Sequence, residues 1–564
     1  MSEAASASAE IALQPDERRY TLPAFLDDVA NRHGARVALR FEDTALTFEE
    51  LRAGARELAR ALVAMGVVKG ARVGLLMANR PEWVIAAFGV TLAGGVLVPV
   101  STFATESERE HVLRHGDTSV LLLQPTLLKH HYLDDLLANH GEIRAGAPGA
   151  LRCAALPFLR AVVSLGLDEP RGAALPWGAF LERGRDVPEA LLDACATEVH
   201  PRDEAMIVYT SGSTAEPKGV VHAHEAAVIQ SWRFAELFGL TPADVVWTAY
   251  PLFWTAGFAM SLGGSLASGA TLLLEQTFDA PLALARLEEH RATAVHAWPH
   301  QEKALAEHAS ARYRDLRSLR QVNFGSPLAA LAGIAEDRWG RAATYGLTET
   351  FTLAAATPAT RPPAERAGHH GRPLPGTEIR IVDPATGAVA GVGASGEICV
   401  RGRTLMLRYH KQPRAAAFDA DGFFHTGDSG HLDELGRLHW SGRISGLIKT
   451  GGANVSPVEI ESTLRPLPGL RAALAVGVPH ATLGEIVVLC AIAEPGISGP
   501  SEETIRSYLR ERLAAYKVPR RVLFFAPEEV AMTGSQKILS GPLREAALAR
   551  LRAERAVVDG EEST

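Results

Sequence analysis

Three observations predict an α/β fold for this chain. Strands alternate with helices up to about residue 356, short strands with glycine turns follow from Gly371, and a compact α+β segment lies past Arg443. Together they predict a large N-terminal domain of two βα-layered lobes plus a small β-barrel, followed by a smaller α+β C-terminal domain. At 564 residues the chain exceeds what one hydrophobic core organises, so two or more domains are expected.

Residues 1–15 are rich in Ala, Ser and Glu, without a basic region or an apolar core, and read as part of a flexible tail covering 1–20. Thr47 followed three residues later by Glu50 is a capping box, which starts a helix running to about 65. Strand 72–77, helix 81–92, strand 96–100, helix 106–115 and strand 119–123 come next, and this alternation implies a parallel sheet covered on both faces. The most apolar stretch, 83–100, is broken by Gly94, Gly95 and Pro99; it reads as a buried helix entering a buried strand, so no membrane span is expected.

Residues 125–200 form the variable end of the first lobe, with an apolar run at 160–165 and a helix near 188–195. The βα rhythm resumes from 224 to about 356, with strands at 244–249, 270–274 and 293–297, as a second lobe. Strands at 378–382, 396–401, 423–425 and 438–440, separated by glycine turns, suggest the small barrel or sandwich. The expected division is an N-terminal domain over 21–443, a hinge near 443–446, a C-terminal domain over 444–551 and a charged tail over 552–564.

Composition narrows the class. With 47% hydrophobic and 22% charged residues the chain is of the soluble globular type, and a net charge of −8 offers no electrostatic case for nucleic acid. Cys153, Cys195, Cys399 and Cys490 are scattered without CxxC pairing, which suits a reducing compartment and argues against a disulfide framework or a zinc cluster. The cytoplasm is the expected location.

The chain is organised around Tyr209-Thr210-Ser211-Gly212-Ser213-Thr214-Ala215-Glu216-Pro217-Lys218-Gly219, placed directly after the apolar run Met206-Ile207-Val208. A strand entering a turn rich in Gly, Ser and Thr leaves backbone N–H groups free to point at an anion, while hydroxyls and one lysine add donors. It is not a Walker loop, because the Gly-Lys-Ser/Thr ending is missing. An ordinary polar turn between strands is the plainer alternative, and the density of hydroxyls and glycines weighs against it.

Residues 210–219 resemble the signature loop of the adenylate-forming superfamily, which contains acyl-CoA synthetases, amino-acid adenylation domains and beetle luciferases. The resemblance implies that Thr210, Ser211, Gly212, Ser213, Thr214 and Lys218 surround the ATP phosphates. Ala215 stands where that family usually has glycine.

Tyr345-Gly346-Leu347-Thr348-Glu349-Thr350 is similar to the second signature of the family. There the tyrosine stacks on adenine, the threonine touches phosphate and the glutamate holds Mg²⁺, a hard cation suited to one carboxylate plus phosphates. Asn323-Phe324-Gly325-Ser326-Pro327-Leu328 resembles the turn that lines the adenine and acyl pockets. His425-Thr426-Gly427-Asp428, with Arg443 fifteen residues beyond Asp428, resembles the motif whose aspartate accepts from both ribose hydroxyls.

Further on, 447–461 looks like the segment serving the second half-reaction, with Lys449 near the chemistry and Gly451 and Gly452 beside the pantetheine arm. Ser445 stands at the hinge position, where a charged residue is usual, and Gly446 is also atypical. Met532-Thr533-Gly534-Ser535-Gln536-Lys537 is similar to the lysine motif near the family's C-terminus, with Met532 and Gln536 departing from it. Lys537 matches the lysine that bridges substrate carboxylate and α-phosphate, and with Lys449, Thr214 and Glu349 makes up the implied catalytic set.

Pro251-Leu252-Phe253-Trp254-Thr255-Ala256-Gly257 resembles the run that begins the acid pocket. Amino-acid adenylation domains carry an aspartate where Trp254 stands, so an α-amino acid would bring an unpaired cation here, and a non-amino carboxylic acid is expected. Phe253, Trp254, Gly257, Phe258, Trp298 and Phe324, with Met260, are the candidate pocket residues.

The resemblance covers about 22–551 and implies a carboxylic acid–CoA ligase that uses ATP, Mg²⁺ and coenzyme A, releases AMP and alternates two half-reactions by rotation of a mobile C-terminal domain. Three alternatives stay open at this point: acyl transfer to a carrier-protein thiol, thioester formation from a supplied adenylate without adenylation, and a non-catalytic binder of nucleotide or acyl-CoA. Retention of Glu349, Asp428, Arg443 and Lys537 argues against the last. A homodimer is compatible with the sequence.

Overall fold

The computed structural model describes residues 17–210, 217–340, 342–450, 453–480, 483–497, 499–513, 517–532 and 538–561. Twelve strands of its first part carry the labels used below: β1 (Val37–Phe41), β2 (Thr44–Thr47), β3 (Arg72–Leu76), β4 (Val96–Pro99), β5 (Val120–Leu123), β6 (Ala161–Ser164), β7 (Ala174–Pro176), β8 (Glu204–Thr210), β9 (Lys218–Ala223), β10 (Val245–Thr248), β11 (Thr271–Leu274) and β12 (Ala294–His296).

β3 to β8 form the parallel body of an eight-stranded sheet of order β9-β8-β4-β3-β5-β6-β7, with Arg408–Tyr409 added outside β9. Every residue of β4, β5 and β6 is buried, which is why these strands read as nearly continuous apolar runs instead of alternating ones. The helix α1 (Leu22–His33) precedes β1; α2 (Phe48–Ala64), α3 (Pro81–Leu92) and α4 (Glu106–His115) are the crossovers around β3 and β4. α3 is apolar nearly all round because it is buried nearly all round.

The expected capping box is present. The Thr47 hydroxyl accepts from the Glu50 N–H at 3.2 Å, and the Glu50 carboxylate accepts from the Thr47 N–H at 2.8 Å. Thr105 and Glu108 repeat the device on α4. Each satisfies two of the donors that a helix N-terminus leaves open.

The second lobe differs from the sequence expectation in composition. Its five-stranded sheet has the order β12-β10-β11-β1-β2, so the N-terminal pair β1–β2 completes it. β1 lies parallel to β11, with Leu39 opposite Leu272, and β2 turns back antiparallel. A five-residue strand whose partner lies far along the chain leaves no local signature, and the sequence reading, which began at residue 46, did not contain it.

The chain divides into two compact units: Met1–Ile379 with Val400–Phe424 and Gly436–Leu438, and Arg380–Cys399 with His425–Leu435 and His439–Thr564. The glycine-turn strands Thr377–Val382, Gly396–Gly402, Phe424–Leu432 and Leu438–Arg443 form a four-stranded sheet in that linear order, and Thr344–Tyr345, Ala355–Ala356 and Arg372–Pro373 a separate three-stranded one. These two sheets are the short-strand region that the sequence suggested as a small barrel or sandwich.

In the second unit, strands Ile448–Thr450, Ala453–Val455, Leu470–His480, Gly484–Ala493 and Arg521–Phe524 make a mixed sheet with helices Pro457–Leu464 and Glu502–Arg510, the α+β unit the sequence implies. The last helix, Ser540–Glu561, runs beyond residue 551, through much of the segment read as a tail. Among the described residues no helix is long and apolar enough to cross a membrane.

His222 and His224 sit in the core where β9 enters the next helix, and burial pushes both imidazoles down to about 3. The His224 Nδ1 accepts from the Leu22 N–H at 3.3 Å, tying α1 to this helix. Groups held neutral in the fold contribute stability above their unfolded pKa near 6.5, and that stability is lost as pH falls from there toward 3. Urea unfolding at pH 7 and pH 5 should therefore show a lower midpoint at pH 5, and His224→Gln, which can still accept from Leu22, should reduce the difference. An unchanged pH dependence in the variant would contradict this account.

Candidate active site

β8 and β9 are antiparallel, with Thr210 opposite Lys218, so the hydroxyl-rich stretch joins two strands of a hairpin. Among the described residues a strand, β9, and not a helix follows the loop. Ser211, Gly212, Ser213 and Thr214 lie outside the described residues, as does Ala215.

The stems of this loop are held by two histidines absent from the sequence reading. His111 and His115 lie one turn apart on α4, with rings stacked at 5.2 Å. The His115 Nδ1 is 2.8 Å from the Tyr209 hydroxyl, and the His111 Nε2 is 3.1 Å from the Pro217 carbonyl. Burial, helped by neighbouring His410, pushes His115 down to about 4, so the ring is neutral at pH 7. A His-x-x-x-His spacing on a helix puts both rings on one face, the only sequence signal that could have found them.

Lys218 and Glu349 meet at a third unpredicted residue. The Lys218 ammonium lies 5.5 Å from the centre of the Tyr409 ring, and the Tyr409 hydroxyl donates to Glu349 Oε1 at 2.7 Å. Tyr409 reaches this position because Arg408–Tyr409 pairs with β9. Glu349 belongs to the single turn Thr348–Thr350, which Gln230 anchors by donating to the Thr350 and Leu353 carbonyls at 2.9 and 2.7 Å.

Past that turn Phe351 and Thr352 have φ of 48° and 88°, sparsely populated values for bulky and β-branched residues that the Gln230 anchor helps to hold. Gly346 is required by packing: a Cβ there would lie 2.0 Å from the Thr352 carbonyl oxygen. Tyr345 is buried.

The Gly325-Ser326-Pro327 turn is a helix cap. Gly325 has φ +79°, the Ser326 hydroxyl accepts from the Ala329 N–H at 3.1 Å, and Pro327 begins a short helix. Phe324, Ser326 and Pro327 line an open cleft of about 580 Å³ with Glu302 and Arg366.

In the second unit Arg443 Nε lies 3.0 Å from the buried Asp428 carboxylate, and its Nη1 donates to the Thr426 carbonyl at 2.7 Å. Glu397 braces the same loop, accepting from the Gly427 N–H at 2.9 Å while its other oxygen lies 2.8 Å from His425 Nδ1. Lys449 is exposed on Ile448–Thr450, and its backbone N–H donates to Glu485 at 2.9 Å. Ser445 lies in the turn Ile444–Gly446. Gly451, Gly452, Gln536 and Lys537 lie outside the described residues.

The acid-pocket residues separate. Phe253 and Trp298 line a cavity of about 260 Å³, to which segments following β3, β4, β5, β10, β11 and β12 all contribute. The crevice beyond the carboxyl ends of parallel strands is where open α/β sheets bind ligands. Trp254 packs edge-on against Phe103, Phe253 and Trp298 at 5.4–5.8 Å.

Phe258 instead belongs to the core, against Trp83 and Phe351, and does not line this cavity. Gly257 is there to allow close approach, since a Cβ would sit 2.0 Å from the Pro251 carbonyl oxygen, at the start of the π-helical turn Gly257–Gly263. Met260 packs against the core, and Phe324 lines the other cleft.

The fold, two βα-layered lobes followed by a smaller α+β unit, is that of adenylate-forming enzymes: it resembles ATP-bound MatB from Rhodopseudomonas palustris, at TM-score 0.76, 26% identity, 94% of this chain and 99% of that one. It also resembles an anthranilate CoA ligase, AuaEII, in complex with anthranoyl-AMP, at TM-score 0.77, 26% identity, 95% of this chain and 98% of that one. The chain belongs to the AMP-binding enzyme family: residues 26–410 match the profile described as AMP-binding enzyme, and 459–537 that of the AMP-binding enzyme C-terminal domain.

Among its relatives, a feruloyl-CoA synthase of Amycolatopsis is 32% identical over 513 residues, 90% of this chain and 95% of the relative. An indoleacetate–CoA ligase of Aromatoleum aromaticum is 30% identical over 531 residues, 93% of this chain and 98% of the relative.

Tyr409→Phe removes only the hydroxyl that orients Glu349. A lost hydrogen bond to a carboxylate is expected to raise the KM for ATP in the presence of Mg²⁺ by about five- to tenfold with an unchanged thermal midpoint. Steady-state kinetics that leave KM unaltered would contradict the assigned contact.

Proposed function

We propose that this chain is an AMP-forming ligase that joins a non-amino carboxylic acid to coenzyme A. The observation that carries the reading is the Lys218–Tyr409–Glu349 arrangement beside the phosphate-loop hairpin, in a chain whose relatives are named acid–CoA ligases along nearly their whole length. Lys218 supplies a fixed cation for the triphosphate. Glu349, with one oxygen engaged by Tyr409, keeps acceptor capacity for Mg²⁺, which shields the phosphates when bound. Asp428, neutralised by Arg443 and set on a loop braced by Glu397, is suited to accept from the two ribose hydroxyls.

In the first half-reaction an oxygen of the acid attacks the α-phosphorus; a new P–O bond forms, the bond to the bridging oxygen breaks, and pyrophosphate leaves. Lys537 reduces the repulsion between the two anions in the transition state. In the second, the CoA sulfur attacks the acyl carbon, a C–S bond replaces the C–O bond, and AMP departs. Lys449 and the glycines at 451–452 serve this step, with the C-terminal domain over 444–551 turning about 443–446 between the two. Trp254 in place of a carboxylate disfavours amino acids. The four cysteines, all free, suit a reducing, cytoplasmic setting.

Pyrophosphate release from ATP and Mg²⁺ with a panel of fatty, aryl and polycyclic acids tests the reading. Acid-dependent release is expected, falling at least a hundredfold in Lys537→Ala and stopping when EDTA removes the metal. Silence with every acid, together with thioester formation from a supplied acyl adenylate and CoA, would mean that the adenylating half-reaction is absent.

A further inference from the structure

Among the described residues, a carboxylate, a thiol and an imidazole converge at one place that no step of the proposed chemistry uses. Glu397 and Cys399 stand two residues apart on the strand Gly396–Gly402 and so share one face, and His425 lies on the adjacent strand Phe424–Leu432. All three belong to the second unit. The His425 Nδ1 is 2.8 Å from Glu397 Oε2 and 3.5 Å from the Cys399 sulfur, and one donor atom of each residue lies within 4.8 Å of the other two. Cys399 is buried and His425 exposed, so the cluster has its floor in the sheet and an approach from solvent.

The imidazole nitrogen thus faces two partners at once. Carrying a proton, it donates well to the carboxylate and only weakly to sulfur; without one, its lone pair opposes that of the carboxylate. A cation placed among the three atoms takes a lone pair from each.

We infer that Glu397, Cys399 and His425 form a binding site for Zn²⁺, with water as the fourth ligand, which ties the two strands together next to the Gly427–Asp428 loop. The inference does not depend on the ligase reading. In a tetrahedral zinc site with bonds of about 2.0–2.3 Å the ligand atoms stand about 3.3–3.6 Å apart, so the 2.8 Å pair opens by about half an ångström and the 3.5 Å pair already fits. Loss of the thiol proton to solvent leaves one thiolate and one carboxylate to balance the two charges of the ion. Sulfur and imidazole favour zinc over Mg²⁺ and Ca²⁺, which take oxygen ligands.

The surroundings are set for such a site. Glu397 Oε1 accepts from the Gly427 N–H at 2.9 Å, which leaves Oε2 to the cluster, and the Thr426 hydroxyl donates to the Ile398 carbonyl at 2.6 Å while accepting from the Asp428 N–H at 3.0 Å. These bonds hold the residues beside Cys399 and His425, as the outer partners of metal ligands do. The lack of a CxxC pair argues against a sulfur-rich zinc cluster, but a mixed set drawn from two strands leaves no such pattern.

The test uses the full chain freed of metal by chelation, with excess Mg²⁺ added to fill oxygen-ligand sites such as Glu349. Calorimetric titration with Zn²⁺ is expected to show a single equivalent bound with Kd below about 1 μM, and Co²⁺ in its place to give the absorption of a tetrahedral ion with a sulfur-to-cobalt charge-transfer band. Cys399→Ser should abolish that band and weaken Zn²⁺ binding at least about 100-fold, and His425→Gln, which can still donate to Glu397, should weaken it at least about tenfold. Cys153→Ser, which alters the other cysteine–histidine pair, should change neither. Far-UV circular dichroism of the metal-free variants shows which are folded, and should Cys399→Ser not fold, His425→Gln carries the test.

A cobalt spectrum without the sulfur band, Zn²⁺ binding unaltered in the folded variants at Cys399 and His425, or no saturation at a single equivalent would overturn the inference and leave the ligase reading intact.

Discussion

Buried parallel strands have no polar face to turn to water, so the parallel bodies of the two large sheets in the first unit must be covered on both sides, which leaves the strand ends as open ground. That constraint places the candidate site. β3, β4 and β5 of one sheet and β10, β11 and β12 of the other carry their chains into the same crevice, where the connecting segments bring Phe103, Phe253, Glu275 and Trp298 together. The buried Val and Leu runs that make the strands are thus also what leaves the following residues free to build a ligand cavity.

Within each unit the polar parts are held by short braces from elements distant in sequence. α4 grips both stems of the β8–β9 hairpin through His111 and His115; Gln230 anchors the turn of Glu349; Glu397 holds the loop of Asp428. Each brace satisfies a backbone or hydroxyl group, and each lies within a few residues of one assigned to phosphate, metal or ribose in the proposed reaction. Phe351 and Thr352, two neighbouring residues with positive φ, follow one residue after the glutamate read as the metal ligand.

Much of this was legible in the sequence. The capping box at Thr47 and the all-apolar strands locate most of the first sheet within a residue or two, because those signals are local. What was not legible is non-local: the insertion of β1 beside β11, and the arrival of Tyr409 next to Lys218 through the pairing of Arg408–Tyr409 with β9. The pocket list divides for a related reason. An aromatic in a motif can face a cavity, as Phe253 and Trp298 do, or the core, as Phe258 does, and a π-helical turn after Gly257 shifts the facing in a way that local pattern does not encode. The set of Glu397, Cys399 and His425 carries no motif at all; it stands out only once two neighbouring strands bring its three ligand atoms together.

The most direct test of the central claim, that one chain activates an acid as its adenylate and passes it to a thiol, is a single-turnover experiment followed by mass spectrometry. Enzyme in excess over ATP and an acid that supports pyrophosphate release, without CoA, should accumulate bound acyl-AMP, and adding CoA should convert that pool stoichiometrically into acyl-CoA and free AMP. Appearance of ADP and phosphate, or of thioester without a preceding adenylate, would contradict the account.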